Sequence, residues 1–400
     1  MSSPLTLSPV LPGCWLGMLG GGQLGRMFVH AAQSLGYRVC VLDPAVDSPA
    51  GAAADRHVCA AYDDPEALRT FADLCTSVST EFENIPAHVL AWLQSSGVFV
   101  APASHCIALA QDRIAEKKFL HACAAETGID VAPYWILQQE SDLLAAPPAL
   151  FPGILKTARM GYDGKGQVVV NQVAALRSAW ETLAFAPCIL EQRLPLAYEV
   201  SVIIARAYDG ACVYYPVVEN VHRHGILHCS TLPANHADVA LSERVQRAAQ
   251  IIAKKMDYVG VLCVEFFVLQ DGRVVVNELA PRPHNSGHIT ADACMTGQFE
   301  QQVRAMTRLP LGSTQQLAAA MMINLLGDLW PNQQMDEKLG STLQPAWEKI
   351  LALPEVRLHL YGKSEARQGR KMGHLNLLAS DFAHVQKIYQ HVCGLLNLQP

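Results

Sequence analysis

The sequence contains little charge and no long apolar run. Only 16% of its 400 residues are charged, against about 25% in an average protein, and the formal net charge is −6. Neither sign forms a long block, so the composition disfavours bulk electrostatic binding to nucleic acid or an anionic membrane. The apolar runs are interrupted, as Glu265 interrupts VLCVEFFVL, whereas a membrane-spanning helix needs about 20 apolar residues. These absences predict a soluble protein.

A secretory leader and paired cysteines are also missing. The twelve cysteines are scattered and form no CxxC pair. We interpret them as reduced thiols of a cytosolic protein, most of them small core residues. The opening segment MSSPLTLSPVLPG has three prolines and no basic stretch, which predicts a loose tail rather than a targeting signal.

The chain divides into three stretches of different pattern. From Trp15 to about residue 103, apolar strands alternate with amphipathic helices, which predicts an α/β unit with a parallel sheet. From about Tyr134 to residue 308, Asp-Gly turns at positions 163, 209 and 271 predict antiparallel hairpins, with helices near 172–184 and 241–257. The remainder has two strand-like segments, a basic loop and a final helix, as is typical of a small closing domain.

Three glycines form a GxGxxG turn between the first strand and the first helix. They are Gly20, Gly22 and Gly25, and Asp43 ends the next strand. Such glycines let the backbone approach a ligand, and the N-terminus of the following helix favours phosphate or carboxylate. Taken alone, the motif indicates an NAD-dependent dehydrogenase. The same glycines also fit a tight turn that only packs the helix on the sheet, or a ligand that is not a nucleotide.

A second glycine-rich segment, LKTARMGYDGKGQVVV, spans residues 155–170. A Walker loop would run from GK[ST] into a helix, whereas this loop runs into an apolar strand. Its glycines expose backbone N–H groups, and Lys156 and Lys165 add positive charge. These features predict a flexible hairpin that covers a bound polyphosphate. An ordinary solvated hairpin with a lysine at its tip would explain fewer of these features.

Two glutamates are predicted to face each other across a hairpin. If Asp271 and Gly272 form a two-residue turn, Glu265 lies opposite Glu278, with Cβ atoms about 4.5 to 5.5 Å apart. Opposed carboxylates destabilise a sheet unless a cation lies between them, and hard oxygen ligands suit Mg²⁺. Together with the glycine-rich hairpin, the pair predicts Mg-ATP. A register shift or a bulge would instead send one glutamate to solvent.

Three histidines, His222, His224 and His228, lie close together in the sequence. Their HxHxxxH spacing is not that of the usual zinc frameworks, and no thiolate or Glu-x-x-His partner is near. A hydrogen bond from one histidine to a ligand is therefore the better interpretation.

A basic loop, YGKSEARQGRKMGHLN, spans residues 361–376. Lys363, Arg370 and Lys371 offer one guanidinium and two ammonium groups among several glycines, just before an apolar strand. A compact anion such as a phosphate monoester would fit these groups. The alternative is a solvated basic turn.

At these motifs the chain resembles the N5-carboxyaminoimidazole ribonucleotide synthetases, the ATPase component of bacterial phosphoribosylaminoimidazole carboxylation. The resemblance covers about residues 15 to 380 and rests on GGGQLGRM, TEFENIP, LKTARMGYDGKGQ, Glu191 with Gln192, NELAPRPHNSGH and GRKMGHLN. The NELAPRPHNSGH and GRKMGHLN blocks are specific, whereas the first glycines alone are not.

The resemblance implies the ATP-grasp fold, a combination of α/β and α+β units. It implies a flexible tail at 1–14, a Rossmann-like preATP-grasp domain at 15–110, an ATP-grasp domain at 111–308 and a small C-terminal closing domain at 309–400. In such enzymes the opening domain holds substrate rather than NAD, which decides the first motif against hydride transfer.

The resemblance also implies the groups that contact ATP. They are Arg113, Lys156, Gly161, Tyr162, Asp163, Gly164, Lys165, Gly166, Gln167, Glu191, Gln192, Arg193, Leu194, Glu199 on the ribose, His222, Asn277 and Glu278. Strand alternation points Asn277 away from Glu278, so its contact would be through backbone or a bulge. Mg²⁺ would bind Glu265 and Glu278, but Ala280 stands where many ATP-grasp enzymes have an asparagine ligand.

For the ribonucleotide, the resemblance implies a second set of contacts. They are Gln23, Leu24, Glu81, Asn285, and Lys363, Arg370 and Lys371 on the 5′-phosphate. Glu83 shares a strand face with Glu81, so the sequence leaves both open. The implied catalytic residues are Asp163 as general base, Tyr162, Lys165 and Lys363, although Asp163 would also suit a purely structural turn.

The implied reaction is a carboxylation of purine biosynthesis. ATP phosphorylates bicarbonate to carboxyphosphate, and the amine of 5-aminoimidazole ribonucleotide takes up the carboxyl group, releasing ADP and phosphate. The resemblance further implies a cytoplasmic homodimer that passes its product to a separate mutase. The alternatives are a formate-dependent transformylase of the same superfamily, an NAD-dependent dehydrogenase, and a nucleotide-sensing module without turnover.

Overall fold

The first part of the chain folds into the predicted α/β unit. In the computed structural model of the protein, the described residues are 8–161, 165–330, 335–336, 341–342 and 344–399. The strands of the first unit are β1 (Trp15–Leu19), β2 (Arg38–Leu42), β3 (Arg56–Val58), β4 (Ser77–Thr80) and β5 (Phe99–Val100). Its helices are α1 (Gln23–Ser34), α2 (Pro65–Leu74), α3 (Ala87–Ser95), α4 (Ser104–Ala110) and α5 (Arg113–Thr127).

These five strands form one parallel sheet in the order β3-β2-β1-β4-β5. Both faces are covered, which is why the strands are apolar throughout rather than alternating. Leu16 and Met18 of β1 pack against Phe28 of α1 on one face, and Leu19 packs with Phe71 of α2 on the other. The carboxyl ends of β1, β2 and β4 therefore meet beside the start of α1.

Local capping fixes where several of these helices begin. Asp64 accepts hydrogen bonds from the backbone N–H groups of Glu66 and Ala67, with Pro65 in the first turn of α2. Asp112 caps α5 in the same way, and α5 ends at Gly128 with φ +67°. Side-chain caps of this kind stabilise a helix start by about 1 kcal/mol, so Asp64 and Asp112 fix the first turns of α2 and α5.

A small antiparallel sheet follows the first unit. Its strands are β6 (Tyr134–Leu137), β7 (Gly153–Thr157), β8 (Gln167–Val170) and β9 (Cys188–Gln192), in the order β6-β9-β7-β8, with α6 (Glu140–Leu144) and α7 (Leu176–Thr182). The predicted helix near 172–184 corresponds to α7 and a short 3-10 turn before it. β7 and β8 flank the glycine-rich segment, whose residues 162–164 lie outside the described part of the chain.

A second, larger antiparallel sheet begins directly after β9. It contains β10 (Leu196–Arg206), β11 (Cys212–Tyr214), β12 (Val218–Arg223), β13 (Ile226–Leu232), β14 (Gly260–Leu269) and β15 (Val274–Ala280). The predicted helix near 241–257 is α8 (Val239–Lys255), and its buried side packs with α5 against this sheet. After β15 come a 3-10 helix at Asn285–Ile289, α9 (Thr290–Ala293) and α10 (Gln298–Met306).

The last part of the chain extends the same large sheet. Its elements are β16 (Ala319–Leu326), the short pair β17 (Met335–Asp336) and β18 (Ser341–Thr342), α11 (Trp347–Leu351), β19 (Val356–Leu360), β20 (Lys371–Ala379) and α12 (Phe382–Leu395). The sheet runs β15-β14-β10-β12-β13-β16-β20-β19, with β11 beside β10. The two strands and the final helix predicted here are present. Among the described residues, no helix is both long and apolar enough to span a bilayer.

One buried glutamine joins the first sheet to the large one. Gln302 of α10 accepts a hydrogen bond from Val261 N at 2.7 Å and donates to Ser79 Oγ at 3.0 Å and Ala101 O at 3.1 Å. An unsatisfied buried polar group costs about 1 to 3 kcal/mol. This side chain therefore helps to hold the end of β4 at a defined distance from β14.

Candidate active site

The GxGxxG turn is occupied by a carboxylate of the protein itself. Glu81, just after β4, accepts hydrogen bonds from Gly22 N at 2.6 Å and from Gly25 N at 2.7 Å. A Cβ on Gly22 would lie 2.3 Å from Glu81 Oε1, so glycine is required for this approach. The helix N-terminus, where a dinucleotide fold binds pyrophosphate, is thus already satisfied by an anion. The NAD interpretation of the motif is wrong for this reason.

A second carboxylate, Asp43, completes the turn. Asp43 Oδ2 accepts from Gly21 N at 2.7 Å and from the Tyr62 hydroxyl at 2.6 Å. Burial, followed by the hydrogen bond and charge of Asp43, raises the pKa of Tyr62, so the phenol stays protonated and donates. The sequence indicated Asp43 only as a strand end, and it gave no signal for Tyr62.

The turn forms one wall of a pocket of about 330 Å³. The opposite wall is the basic loop, which contributes Lys363, Ser364 and Arg370. Ser364 Oγ donates to Asp47 Oδ2 at 3.3 Å, so loop and first unit touch directly. The structure therefore brings Glu81 together with two of the three predicted phosphate ligands. We call this cavity the glycine-turn pocket.

The other predicted substrate residues surround this pocket less directly. Gln23 and Leu24 begin α1, immediately after the turn. Lys371 begins β20. The pKa of His284 and that of His288 are lowered mainly by burial, and the charge of Lys371 is a smaller cause in the same direction. Asn285 is buried, and neither atom of its amide has a hydrogen-bond partner among the described residues. An unsatisfied buried amide is costly, so this position fits a ligand contact.

The structure separates Glu81 from Glu83, which the sequence left open. Glu83 pairs with Arg282 at 2.6 Å, and although burial opposes ionisation, Arg282 holds the pKa of Glu83 below its usual value. Glu81 lines the glycine-turn pocket instead. Arg282 was not singled out in the sequence, although it lies in the NELAPRPHNSGH block.

A second group of charged side chains lies between the small sheet and the large one. Glu191 at the end of β9 contacts Lys156 Nζ at 3.2 Å and Lys117 Nζ at 3.3 Å. Burial works against its ionisation, but Lys117, Lys156 and Arg113 lower the pKa of Glu191 to about 2. Lys117, only 1% exposed, was missed from the sequence; it also donates to Asn277 O at 2.7 Å.

Arg113 connects three elements at this point. Its Nη1 contacts Glu278 Oε2 on β15 at 3.0 Å, and its Nη2 donates to Gly161 O at 3.4 Å. Beyond Gly161 the hairpin contains Lys165, Gly166 and Gln167, and Thr157 N donates to Gly166 O at 2.9 Å. The predicted residues Tyr162, Asp163 and Gly164 lie outside the described residues.

The hairpin that carries the two predicted metal ligands differs from the prediction. Leu269 N donates to Arg273 O and Gly272 N to Leu269 O, so the loop has three residues rather than two. A bulge follows between the pairs Val264–Leu279 and Phe266–Val276, so that Asn277 and Glu278 both oppose Glu265. The predicted two-residue turn is wrong, but the bulge restores the proximity of Glu265 and Glu278.

The electrostatics of this pair follow from their burial. Burial and the charge of Glu278 raise the pKa of Glu265 to about 7, and a hydrogen bond from the Asn277 side chain acts in the opposite direction. The bulge therefore turns Asn277 towards Glu265, which strand alternation alone did not predict. A buried carboxylate beside a second one is a position where a cation would be stabilised.

His284 is a further neighbour of Glu265 that the sequence did not indicate. Ser286 N donates to His284 Nδ1 at 3.3 Å, so Nε2 carries the ring hydrogen and donates to Glu265 Oε1 at 3.1 Å. Cys263 also lies here, and its thiol, Glu265 and His284 place potential ligand atoms within 4.8 Å of one another. Because Nε2 is protonated, His284 orients the carboxylate rather than offering a metal ligand.

His222 of β12 and Glu199 of β10 form a half-buried pair on neighbouring strands. Their Nδ1 and Oε2 atoms lie 2.7 Å apart. Burial would lower the pKa of His222, but Glu199 and the nearby Glu265 and Glu278 raise it above its usual value. His228 lies elsewhere, with Nε2 3.3 Å from the Tyr389 hydroxyl. His222 and His228 therefore have different partners.

The rest of the predicted nucleotide wall follows β9. Gln192 N donates to Pro133 O and Arg193 N to Pro152 O, both at 2.9 Å, so this segment is fixed where the chain passes from the small sheet to the large one. Leu194 is half-buried beside them. The cleft between the sheets thus combines buried cations, a glycine-rich hairpin and paired carboxylates, which are the groups that bind and polarise a nucleoside triphosphate.

Comparison with known proteins agrees with this geometry. Family models match an ATP-grasp domain at 122–299, a ribonucleotide synthetase preATP-grasp domain at 14–111 and a phosphoribosylaminoimidazole carboxylase C-terminal domain at 320–388. The N5-carboxyaminoimidazole ribonucleotide synthase of Bacillus subtilis (strain 168) is 40% identical over 370 residues, which are 92% of this chain and 92% of that protein.

Solved structures give the same result. An N5-carboxyaminoimidazole ribonucleotide synthetase in complex with ADP is 39% identical, with a TM-score of 0.87, covering 97% of this chain and 98% of that one. The Aspergillus clavatus synthase in complex with ADP and 5-aminoimidazole ribonucleotide is 30% identical, with a TM-score of 0.84, covering 96% and 98%. Fold and site together define an ATP-grasp enzyme, an ATP-dependent ligase. The chain belongs to the family of N5-carboxyaminoimidazole ribonucleotide synthases, and the predicted family, fold class and enzyme class are confirmed.

One more carboxylate in the cleft has an unusual environment. Glu116 of α5 is 2% exposed, and its Oε1 accepts from Leu279 N at 2.6 Å. Burial and the charge of Glu278 raise the pKa of Glu116 from 4.5 to about 7. A raised pKa favours the folded state below pH 4.5, and this contribution is lost as the pH rises through about 7.

We expect Glu116→Gln to remove this pH dependence. Glutamine keeps an acceptor for Leu279 N but does not titrate, so wild type should lose roughly 2 to 3 kcal/mol relative to the variant between pH 5 and pH 8. Urea denaturation of both ligand-free proteins at the two pH values measures this difference. Glu126→Gln, at an exposed position of α5 beside Lys255, is the control and should show no such change. A constant difference between wild type and Glu116→Gln would contradict the assignment.

Proposed function

We propose that the chain catalyses the ATP-dependent carboxylation of 5-aminoimidazole ribonucleotide by bicarbonate, giving N5-carboxyaminoimidazole ribonucleotide, ADP and phosphate. The observation that carries this proposal is the glycine-turn pocket, in which Glu81 faces Lys363 and Arg370. A carboxylate at one end suits a hydrogen-bond donor such as an amine, and the basic end suits a phosphate monoester. Its volume of about 330 Å³ is in the usual range of a small-ligand site.

The ribonucleotide then has a defined orientation. Lys363, Arg370 and Lys371 bind the 5′-phosphate, while Gln23, Leu24 and Glu81 contact the ring end from the glycine turn. The buried amide of Asn285, without partners among the described residues, supplies a further hydrogen bond. The relative solved with ADP and 5-aminoimidazole ribonucleotide supports this choice of substrate over a glycinamide ribonucleotide.

ATP occupies the cleft between the two antiparallel sheets. Lys156, Arg113 and the hairpin at 161–167 surround its phosphates, and the segment 191–194 lies beside the base. Glu199 accepts from the ribose and His222 orients Glu199, while Asn277 and Glu278 face the phosphates from β15. Lys117 takes no direct part, since its ammonium group is used by Glu191 and Asn277 O.

The residues present fit a divalent cation. Glu265 and Glu278 offer hard oxygen ligands on neighbouring strands, and burial together with the charge of Glu278 raises the pKa of Glu265. Mg²⁺ bound here would neutralise charge on the transferring phosphoryl group. Among the chain's own groups, Lys156 and Lys165 serve the same electrostatic purpose, and His284 holds the Glu265 carboxylate in place.

The chemistry proceeds in two transfers. A bicarbonate oxygen attacks the γ-phosphorus of ATP, so that ADP leaves and carboxyphosphate forms. The exocyclic amine then attacks the carboxyl carbon; the new N–C bond forms as the C–O bond to phosphate breaks, and the amine proton passes to Asp163. Arg282, half-buried and paired with Glu83, supplies positive charge near Glu81 that stabilises an anionic intermediate. Tyr162, Lys165 and Lys363 complete the catalytic set.

On the basis of family membership, we further propose that the protein is cytoplasmic, forms a homodimer and passes its product to a separate mutase.

The reaction is tested by ADP release from the purified chain with Mg-ATP. We expect release only when bicarbonate and 5-aminoimidazole ribonucleotide are both present, with ¹⁴C from bicarbonate entering the nucleotide. Release with formate and glycinamide ribonucleotide, NAD reduction, or ATP binding without turnover would each overturn the proposal and identify the alternative.

Arg370→Ala tests the phosphate end of the pocket. Loss of a charge-assisted hydrogen bond of about 1.5 to 3 kcal/mol should raise the KM for the ribonucleotide about tenfold or more and leave the KM for ATP nearly unchanged. Steady-state kinetics with each substrate varied in turn measures both. Arg367→Ala, on the same loop but exposed and paired with Glu365, is the matched control. Equal increases in both KM values would mean that the loop serves ATP.

Asp163→Asn tests the general base. Asparagine keeps the turn propensity of the hairpin but cannot accept the proton, so carboxylation should fall by about 10² to 10⁴ while ATP binding persists. Nucleotide binding is followed by fluorescence and turnover by product formation. Asp209→Asn, at the Asp-Gly turn between β10 and β11, is the control. Normal carboxylation by Asp163→Asn would show that Asp163 only shapes the turn.

A further inference from the structure

Three histidine rings form a stack behind the basic loop. His359 and His374 lie 4.5 Å apart with an angle of 9° between their planes, and His374 and His288 lie 4.9 Å apart at 34°. His374 is 1% exposed and His288 fully buried. The rings come from β19, β20 and the 3-10 helix at 285–289, so the stack joins the end of the chain to the segment that follows β15.

The middle ring of the stack, His374, is linked through Tyr361 to the predicted phosphate site. His374 Nδ1 and the hydroxyl of Tyr361 share a hydrogen bond of 2.9 Å, and Tyr361 is itself 1% exposed. The Lys363 ammonium lies 5.6 Å from the centroid of the Tyr361 ring and donates to Lys371 O at 2.6 Å. A cation over an aromatic face is attracted to it, so the placement of the Tyr361 ring helps to determine the position of Lys363.

The His359 end of the stack is fixed to Asp292 of α9. His359 Nε2 donates to Asp292 Oδ2 at 2.8 Å, and Asn376 Nδ2 donates to the same oxygen at 2.6 Å and to His288 O at 3.1 Å. Asp292 therefore holds the His359 ring and the Asn376 amide together, and Asn376 connects them to the backbone of His288.

The same segment is tied to the Glu265 side of the site. Gln298 Nε2 donates to His288 Nδ1 at 3.0 Å and to His284 O at 2.7 Å, and Gln298 Oε1 accepts from His284 N at 2.9 Å. A Cβ on Gly287 would lie 2.2 Å from that oxygen, which explains glycine there. The stack is thus continuous with the backbone that carries His284 and Asn285.

The stack is suited to placing groups rather than to proton transfer. None of its three rings belongs to the described wall of the glycine-turn pocket. Burial is the main cause that holds the pKa of both His288 and His374 far below the usual value, so both rings are neutral. Two neutral, buried and hydrogen-bonded rings are suited to fixing the position of their neighbours.

We propose that Tyr361 and His374 are positioning residues, which act through Lys363 to fix the phosphate end of the ribonucleotide pocket. This inference rests on the proposed function, since it concerns the same pocket. It goes beyond the direct ligands, because the hydroxyl of Tyr361 and the ring of His374 act on Lys363 without contacting substrate.

Tyr361→Phe is the first test. Phenylalanine keeps the ring beneath Lys363 and removes only the hydrogen bond to His374, so the fold should persist. We expect the KM for the ribonucleotide to rise about three- to tenfold, while the KM for ATP changes less than about twofold. The affinity for ribose 5-phosphate, measured by calorimetry, should fall by a similar factor.

Tyr389→Phe is a matched control. Tyr389 is also a buried tyrosine of the C-terminal part, and its hydroxyl contacts a histidine, His228, at 3.3 Å, but it lies on α12 away from the pocket. The control should leave the KM and the ribose 5-phosphate affinity unchanged. Similar effects of both phenylalanine variants would indicate a general loss of packing and overturn the proposal.

A pair of substitutions at His374 gives an independent test. His374→Asn places an amide near the Nδ1 position and can still bond Tyr361, whereas His374→Leu cannot. We expect His374→Leu to raise the KM for the ribonucleotide about tenfold and His374→Asn to raise it less than about threefold. Equal effects would show that the hydrogen bond is not what positions Lys363.

The two proposals can fail separately. If wild type does not carboxylate 5-aminoimidazole ribonucleotide, the proposed function fails, whatever the variants do. If wild type carboxylates it but Tyr361→Phe binds ribose 5-phosphate as tightly as wild type does, the positioning role fails while the function stands.

Discussion

The architecture of the site depends on how one helix, α5, satisfies buried charge. Arg113, Glu116 and Lys117 occupy neighbouring positions on one side of it, three and four residues apart. They meet Glu278, the backbone N–H of Leu279 and the carbonyl of Asn277 on β15. Lys117 also reaches Glu191 of the small sheet. Removing one partner of a buried ion pair is strongly destabilising, because the other charge stays buried without compensation. These contacts therefore hold α5, β9 and β15 together.

The elements of the fold were predictable from the sequence, but their charged contacts were not. Alternation of strands and helices indicated the parallel sheet, and Asp-Gly turns indicated hairpins. Lys117 and Glu116 lie inside a helix whose charged and apolar residues are mixed, and no local pattern shows which charges are buried. The partners Arg282 and Glu83 are far apart in the chain, and only the packing of the first unit on the large sheet brings them together.

The Glu265 hairpin shows why reasoning about register is fragile. The prediction assumed a two-residue turn and uninterrupted pairing. The protein has a three-residue loop and a bulge, and these two departures cancel by the time the strands reach Val264 and Leu279. A bulge places two residues opposite one, which is how Asn277 comes to face Glu265. The NAD interpretation of the glycine turn was wrong for a different reason. The sequence of the turn is compatible with a dinucleotide, and only the fold shows that Glu81 already binds its backbone N–H groups.

The continuous large sheet has a mechanical consequence. Backbone hydrogen bonds connect every pair of neighbouring strands from β15 to β19. The part of the site on β15 and the part next to β20 therefore belong to one continuous sheet. The small sheet of β6 to β9 has its own ladder and shares none of these strand pairings. A displacement of the small sheet relative to the large one would therefore break no strand pairing, whereas a displacement of β20 relative to β15 would break several.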